Sequence, residues 1–247
     1  MGITMKITNT VSKTDAARRF FDVPQKYLAR SYNIRTRAYI VRKLLGDLRS
    51  TSILDIGCGD GSISRQFLSD SNRLTLLDLS KNMLHLARNH TPPEHLNGTR
   101  YINNDFVQCG FVDEFDVVLC LGVLAHVDSV AETIRAISTS LKKGGRCVLQ
   151  ITDEDSFFFK VIKTYSAIRR AKPAELGYVM NPTTSSMITT LATQNGLQLL
   201  KQYRYSLMMP GMHRLSDSFL FRYQVATVES KWISRLGLDV LFLFSKE

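Results

Sequence analysis

The sequence predicts an α/β protein built on a doubly wound, mostly parallel sheet. Three observations carry this: short apolar runs alternate with helical patterns from Ser52 to Thr152, a glycine-rich loop follows the first run, and Asp residues close several runs. Strands that alternate with helices pair in parallel, and the helices cover both faces of the sheet.

Residues 14–49 place Tyr39, Ile40, Lys43, Leu44 and Leu48 at helical spacing and are interrupted by Pro24, so two helices are expected. Ser52–Ile56 reads as the first strand, and a helical pattern follows over 62–69. Leu74–Leu77 is a second strand closed by Asp78, and Ser80 can cap the next helix, which Pro92 and Pro93 stop. Strands at 100–103, 115–121 and 146–152 and a helix near 129–141 continue the alternation, the last strand entered through the turn Gly144-Gly145. After Asp153 a basic amphipathic helix is expected at 157–171, a packing helix at 183–195 and a strand at 197–205. An insertion follows at 207–236, and a final strand at 238–244.

Composition narrows the class. With 247 residues, 44% hydrophobic and 22% charged, one core is the default, and collagenous or wholly disordered readings are excluded. No run reaches the roughly 18 apolar residues of a membrane-spanning helix, and the first residues lack a secretory pattern, so the cytoplasm is the expected location. Cys58, Cys109, Cys120 and Cys147 are scattered without a C-x-x-C pair, so neither a disulfide frame nor a metal site is expected. The net charge of +10 is unevenly spread. Eleven Lys and Arg oppose three acids over 1–50, nine oppose twelve over 51–153, and twelve oppose seven over 154–247. Basic flanks suit an anionic acceptor, a nucleic acid or an anionic membrane surface, or are simply solvated.

The loop Asp55-Ile56-Gly57-Cys58-Gly59-Asp60-Gly61 carries the chemistry. Its glycines allow a tight turn and close approach of backbone to ligand. A dinucleotide loop, G-x-G-x-x-G, would need glycine at 62, where Ser62 stands. Asp55 would repel a phosphate but can accept hydrogen bonds, directly or through water, from an ammonium group. A ligand bearing a cationic amino-acid group therefore fits better than a dinucleotide.

In this loop the chain resembles the class I S-adenosylmethionine-dependent methyltransferases, over roughly residues 30–152. Its closest sub-pattern is that of small-molecule enzymes of the ubiquinone and natural-product type. The resemblance implies a seven-stranded Rossmann-like sheet with an antiparallel last strand. It also implies S-adenosylmethionine as co-substrate and S-adenosylhomocysteine as product. By resemblance Asp78, followed by Leu79, holds the ribose hydroxyls, and Asn104-Asp105-Phe106 receives the adenine, with Asp105 accepting from its amino group and Phe106 packing on the ring. Leu121 contacts the cofactor beneath the methyl position. Arg37, about twenty positions before the first loop glycine, grips the cofactor carboxylate. The segment 1–50 and the insertions at about 154–182 and 207–236 would form the lid over the acceptor, leaving 51–247 as the methyltransferase domain.

Methyl transfer to a hydroxyl or amine needs proximity, orientation and, for a hydroxyl, a base. His126, just after the fourth strand, is the leading base candidate, although a histidine there also shapes the pocket. Asp153, Tyr178, His213 and Tyr223 are weaker candidates. Phe157, Phe158, Phe159, Met208 and Phe219 suggest an apolar acceptor pocket, and Arg169, Arg170, Lys172 and Arg214 an anionic handle. The expected acceptor is a small molecule of glycan-, lipid- or natural-product-like chemistry. An RNA (ribose or tRNA) methyltransferase is the first alternative, although 121–124 lacks the Pro-Pro-aromatic motif of base amino-methylating enzymes. A noncatalytic cofactor-binding partner protein is the second, and peripheral membrane association through 157–171 the third.

Overall fold

The computed structural model describes residues 12–14, 18, 22, 31–168, 180–208, 211–230 and 232–247, apart from the side chains at 162, 165–168 and 213. Seven strands form one sheet: β1 (Ser52–Ile56), β2 (Arg73–Leu77), β3 (Thr99–Ile102), β4 (Phe115–Leu121), β5 (Leu141–Thr152), β6 (Leu197–Tyr205) and β7 (Asp239–Lys246). Their order is β3-β2-β1-β4-β5-β7-β6. The first five pair in parallel, and β7 runs antiparallel between β5 and β6. The expected fold, including the antiparallel last strand, is the one observed. The order reverses between β1 and β4, and in such sheets ligands bind at that crevice, beyond the carboxyl ends of the strands.

Both faces are covered, as the near-continuous apolar strands require. On one face α1 (Ser31–Leu45) lays Ile40, Val41 and Leu44 against Ile53, Leu76, Leu119 and Leu241. On the other, α3 (Val130–Ser140) and α5 (Ser185–Gln194) bring Ile134, Ile137, Ile188 and Ala192 onto Leu54, Val118, Leu149 and Phe242. Each such fully buried aliphatic side chain is worth roughly 1.5–3 kcal/mol relative to exposure. The helices begin where the sequence offers a cap. Ser80 accepts from the Met83 N–H ahead of α2 (Lys81–Asn89), Ser129 from Glu132 ahead of α3, and Thr184 from Met187 ahead of α5.

Several elements depart from the sequence expectation. The helix expected at 62–69 is a single 3-10 turn, Ser64–Phe67, because Leu68 is already extended and the chain turns through 69–72 to enter β2. β5 begins at Leu141, ahead of the glycine turn, since Leu141 pairs with Phe115 before an irregularity brings Arg146 opposite Val117. α4 spans Phe157–Ile168, and the rest of the helix expected at 157–171 lies outside the described residues, as does most of the first helix expected in the N-terminal segment. The 207–236 insertion holds α6 (Asp217–Glu229), which lies along α1 through Tyr39 and Lys43 to Glu229 and Ser31 to Asp217. Among the described residues no helix is long and apolar enough to cross a membrane.

Candidate functional site

The glycine loop leaves β1 and folds over the ends of its neighbours. Gly57, Gly59 and Gly61 all adopt positive φ (65°, 55° and 74°), backbone that glycine reaches without a Cβ penalty. The Gly57 and Cys58 N–H groups donate to the Leu77 carbonyl at 2.8 and 3.1 Å, tying the loop to the end of β2. A Cβ on Gly57 would stand 2.4 Å from Val123 Cγ2, so the loop and the turn after β4 touch only because residue 57 has no side chain.

Asp78 is the hub. Its Oδ2 accepts from the Gly59 N–H and its Oδ1 from the Ser80 N–H, both at 2.8 Å, so one buried carboxylate joins the loop to the start of α2. Burial raises its pKa, and those backbone donors oppose the rise. Asn103, absent from the sequence expectation, donates to the carbonyls of Asp78 and Leu79 at 2.9 and 2.8 Å and fixes the turn from β3's side.

A cavity of about 390 Å³ opens above these strand ends. Of the residues expected from sequence, Arg37, Gly57, Gly59, Asp78, Leu79, Asn104, Asp105, Phe106, Leu121 and His126 line it. Asp55 and Gly61 do not; Asp55 is buried at the end of β1. Burial pushes its carboxyl up to about 7, with Asp78 and Asp60 adding to the rise and the Ser64 hydroxyl opposing it. After β3, Asp105 Oδ1 accepts from the Val107 N–H at 2.9 Å while Phe106 packs inward near Phe111. His126 lies below its ordinary pKa because burial disfavours its charged form. Arg37 reaches the cavity from α1, its Nε donating to the hydroxyl of buried Tyr205 at 3.2 Å.

Within the segment 1–50, expected as a lid, two residues not singled out in the sequence take part. Thr14 and Arg18 line the cavity, and residues 12–14 are fastened to Asp128. Asp128 Oδ1 accepts from the Lys13 N–H, and Oδ2 from the Ser12 and Thr14 hydroxyls, at 2.8–2.9 Å. Lys13 Nζ donates to Asn181 Oδ1 at 2.6 Å. Burial alone would raise the Asp128 carboxyl, but these donors hold it below its usual value.

The weaker candidates fall elsewhere. Asp153 accepts from the Ser185 N–H and hydroxyl and from Arg204, with its carboxylate turned into the β5–β6–α5 seam and away from the cavity. Tyr223 and Arg214 do not line the cavity either. Tyr178, Arg169, Arg170, Lys172 and the His213 side chain lie outside the described residues. Among the described residues no group of three or more His, Cys, Asp or Glu is placed to hold a metal ion.

A glycine loop at the end of β1, acidic groups beyond β2 and β3 and this strand order define the class I S-adenosylmethionine-dependent methyltransferase fold. Residues 54–149 match the family described as methyltransferase domain. A ubiquinone biosynthesis O-methyltransferase of Alkalilimnicola ehrlichii is 29% identical over 62% of this chain and 63% of its own length. One of Stutzerimonas stutzeri is 34% identical over 40% and 43%. The chain thus spans less than two thirds of the length of these relatives. Among solved structures, a possible histamine N-methyltransferase from Thermotoga maritima superposes with a TM-score of 0.65 at 16% identity, over 93% of this chain and 99% of that one. The magnesium protoporphyrin IX methyltransferase from Synechocystis PCC 6803, with bound S-adenosylhomocysteine, does so at 0.64 and 16% identity, over 95% and 100%. Residues 54–149 thus match a methyltransferase domain, and the chain has the fold of these solved methyltransferases.

Proposed function

We propose that the chain transfers a methyl group from S-adenosylmethionine to a hydroxyl or amine of a small acceptor. The observation that carries this reading is the single cavity wall on which the ends of β1 to β4 bring together Gly57, Asp78, Asp105, Phe106, Leu121 and His126. When bound, S-adenosylmethionine supplies a sulfonium methyl that an acceptor lone pair displaces in line.

The chain's own groups suit that ligand. Gly57 and Gly59 line the cavity with bare backbone, which a bulky sulfonium nucleoside can approach closely. Asp78 offers carboxylate lone pairs for a ribose diol, Asp105 for an adenine amino group, and Phe106 an apolar face for the base. Asp55 acts behind the wall, through its field, since it does not reach the cavity. Arg37, with a planar fork steadied by Tyr205, suits a carboxylate. His126 is neutral at pH 7 and can take a proton from an acceptor hydroxyl on a ring nitrogen. Of the segments expected to cover the acceptor, the described residues Thr14, Arg18 and Arg37 line the cavity and suit that role.

Calorimetry with S-adenosylmethionine and S-adenosylhomocysteine tests the cofactor: binding of both is expected, and no heat with either would overturn the proposal. Release of S-adenosylhomocysteine across a metabolite library then identifies the acceptor. For a hydroxyl acceptor, kcat should rise with pH through a midpoint below the ordinary histidine value of about 6.5, and His126→Asn should lose that limb and about 100-fold in kcat. An unchanged profile in the variant would remove His126 from the chemistry.

A further inference from the structure

Gln150 lies near the end of β5, opposite Leu121 of β4, in an otherwise apolar run. It is 3% exposed, and its Oε1 has no hydrogen-bond partner among the described residues. A buried carboxamide oxygen without a partner costs about 1–3 kcal/mol, so its retention calls for a ligand or a specific reason. Its surroundings point to a ligand. Gly122, which lines the cavity, has φ +76° and no side chain; a Cβ there would stand 3.6 Å from Arg37 Nη1 and 3.7 Å from Gln150 Oε1. The missing side chain leaves a slot between the Arg37 guanidinium fork, which lines the cavity, and an unpartnered acceptor, Gln150 Oε1, that stands just behind Gly122 and outside the lining itself.

A slot with cationic donors facing a neutral acceptor matches an α-amino acid zwitterion, carboxylate to the fork and ammonium to the oxygen. We infer that Gln150, across the Gly122 slot from Arg37, binds the ammonium of the cofactor's amino-acid end. This rests on the cofactor reading above. Gln150 then ensures that the site holds the complete aminobutyrate arm and does not bind an adenosine thioether alone with equal strength.

The test pairs two probes that share the adenosine and sulfur. S-adenosylhomocysteine carries the amino-acid arm, and 5′-methylthioadenosine lacks it. Gln150→Leu should weaken S-adenosylhomocysteine at least about tenfold, the worth of a charge-assisted hydrogen bond, and leave 5′-methylthioadenosine unchanged, which also reports an intact fold. Gly122→Ala, which fills the slot, should show the same selectivity. Undiminished S-adenosylhomocysteine affinity in Gln150→Leu would overturn the inference. Equal losses for both probes, in Gln150→Leu and again in Gln150→Met, would overturn it too, by making the residue purely structural. If the wild-type protein binds neither probe, the cofactor reading itself fails, a result distinct from either.

Discussion

The two halves of the sheet use their polar groups differently. On the side of β3, β2, β1 and β4, the acids at the strand ends meet backbone N–H groups of loops around the cavity: Asp78 holds Gly59 and Ser80, and Asp105 holds Val107. On the side of β5, β7 and β6, they are consumed in links between elements. Asp153 joins Ser185 and Arg204, and Asp239 accepts from Thr152 at 2.6 Å. The polar groups that face the cavity are therefore concentrated on the first half, while those of the second half chiefly tie the scaffold together, with Gln150 and Tyr205 at the border. Polarity alone does not mark a site; what matters is whether the group's partners are its own fold or a wall facing open space.

Four substitutions sharpen or break that contrast. The largest expected effect is on the scaffold side. Asp153→Ala strands Arg204 in a mostly buried seam and should cost about 3 kcal/mol in denaturant unfolding, with cofactor affinity of the surviving folded protein little changed. Burial alone would raise the Asp153 carboxyl, but the bonds from Ser185 and Arg204 hold it below its usual value. Its contribution is thus present above the unfolded carboxylate pKa of about 4 and fades as pH falls through the lower folded value. A cofactor-specific defect in Asp153→Ala would break the contrast.

Asp78→Ala comes next. It should weaken S-adenosylhomocysteine about 100-fold, or about 2.7 kcal/mol, and retained affinity would remove Asp78 from recognition. Asp55→Asn has the opposite sign. A carboxyl raised to about 7 in the fold resists ionising, so its favourable share of stability is complete below about pH 4 and is lost as pH climbs to 7. The ligand-free Asp55→Asn protein should be more stable than wild type by about 2 kcal/mol at pH 8, the gap closing towards pH 4. Thermal melts at the two pH values measure it. A variant less stable at pH 8 would show that the buried charge is compensated. The smallest effect belongs to Asp128→Ala, where exposed hydrogen bonds worth about 1 kcal/mol together should speed S-adenosylhomocysteine dissociation about fivefold in stopped flow. An unchanged rate would leave residues 12–14 without influence on the ligand.

Much of this was legible in the residue pattern. Ser52–Ile56 and Phe115–Leu121 begin and end where their runs do, because a strand inside a covered sheet is apolar on both faces, whereas Leu197–Tyr205, a largely exposed edge strand, was legible from the turn at Gly196 that starts it. The Asp residues at strand ends were legible for the same reason: a charge directly after an apolar run marks where the sheet gives way to solvent or ligand. What escaped depended on contacts distant in sequence. The 62–69 segment has helical spacing, yet the approach to β2 leaves room for one 3-10 turn. Asp153 looks like any acid after a strand until Arg204, 51 residues later, takes it. Gln150 left a faint signal, a lone carboxamide among Cys147, Val148, Leu149 and Ile151, but nothing in its neighbours tells which face it occupies or that Gly122 stands before it.

The fastening at Asp128 has a kinetic consequence. Three consecutive residues near the start of the chain are held by one exposed carboxylate more than a hundred positions away, and none of the sheet's ladder bonds takes part. Opening that closure needs only the few bonds of residues 12–14, a local event at the low end of the stability range within a fold. On the proposed function, that local opening would let the nucleoside exchange while the seven strands remain paired.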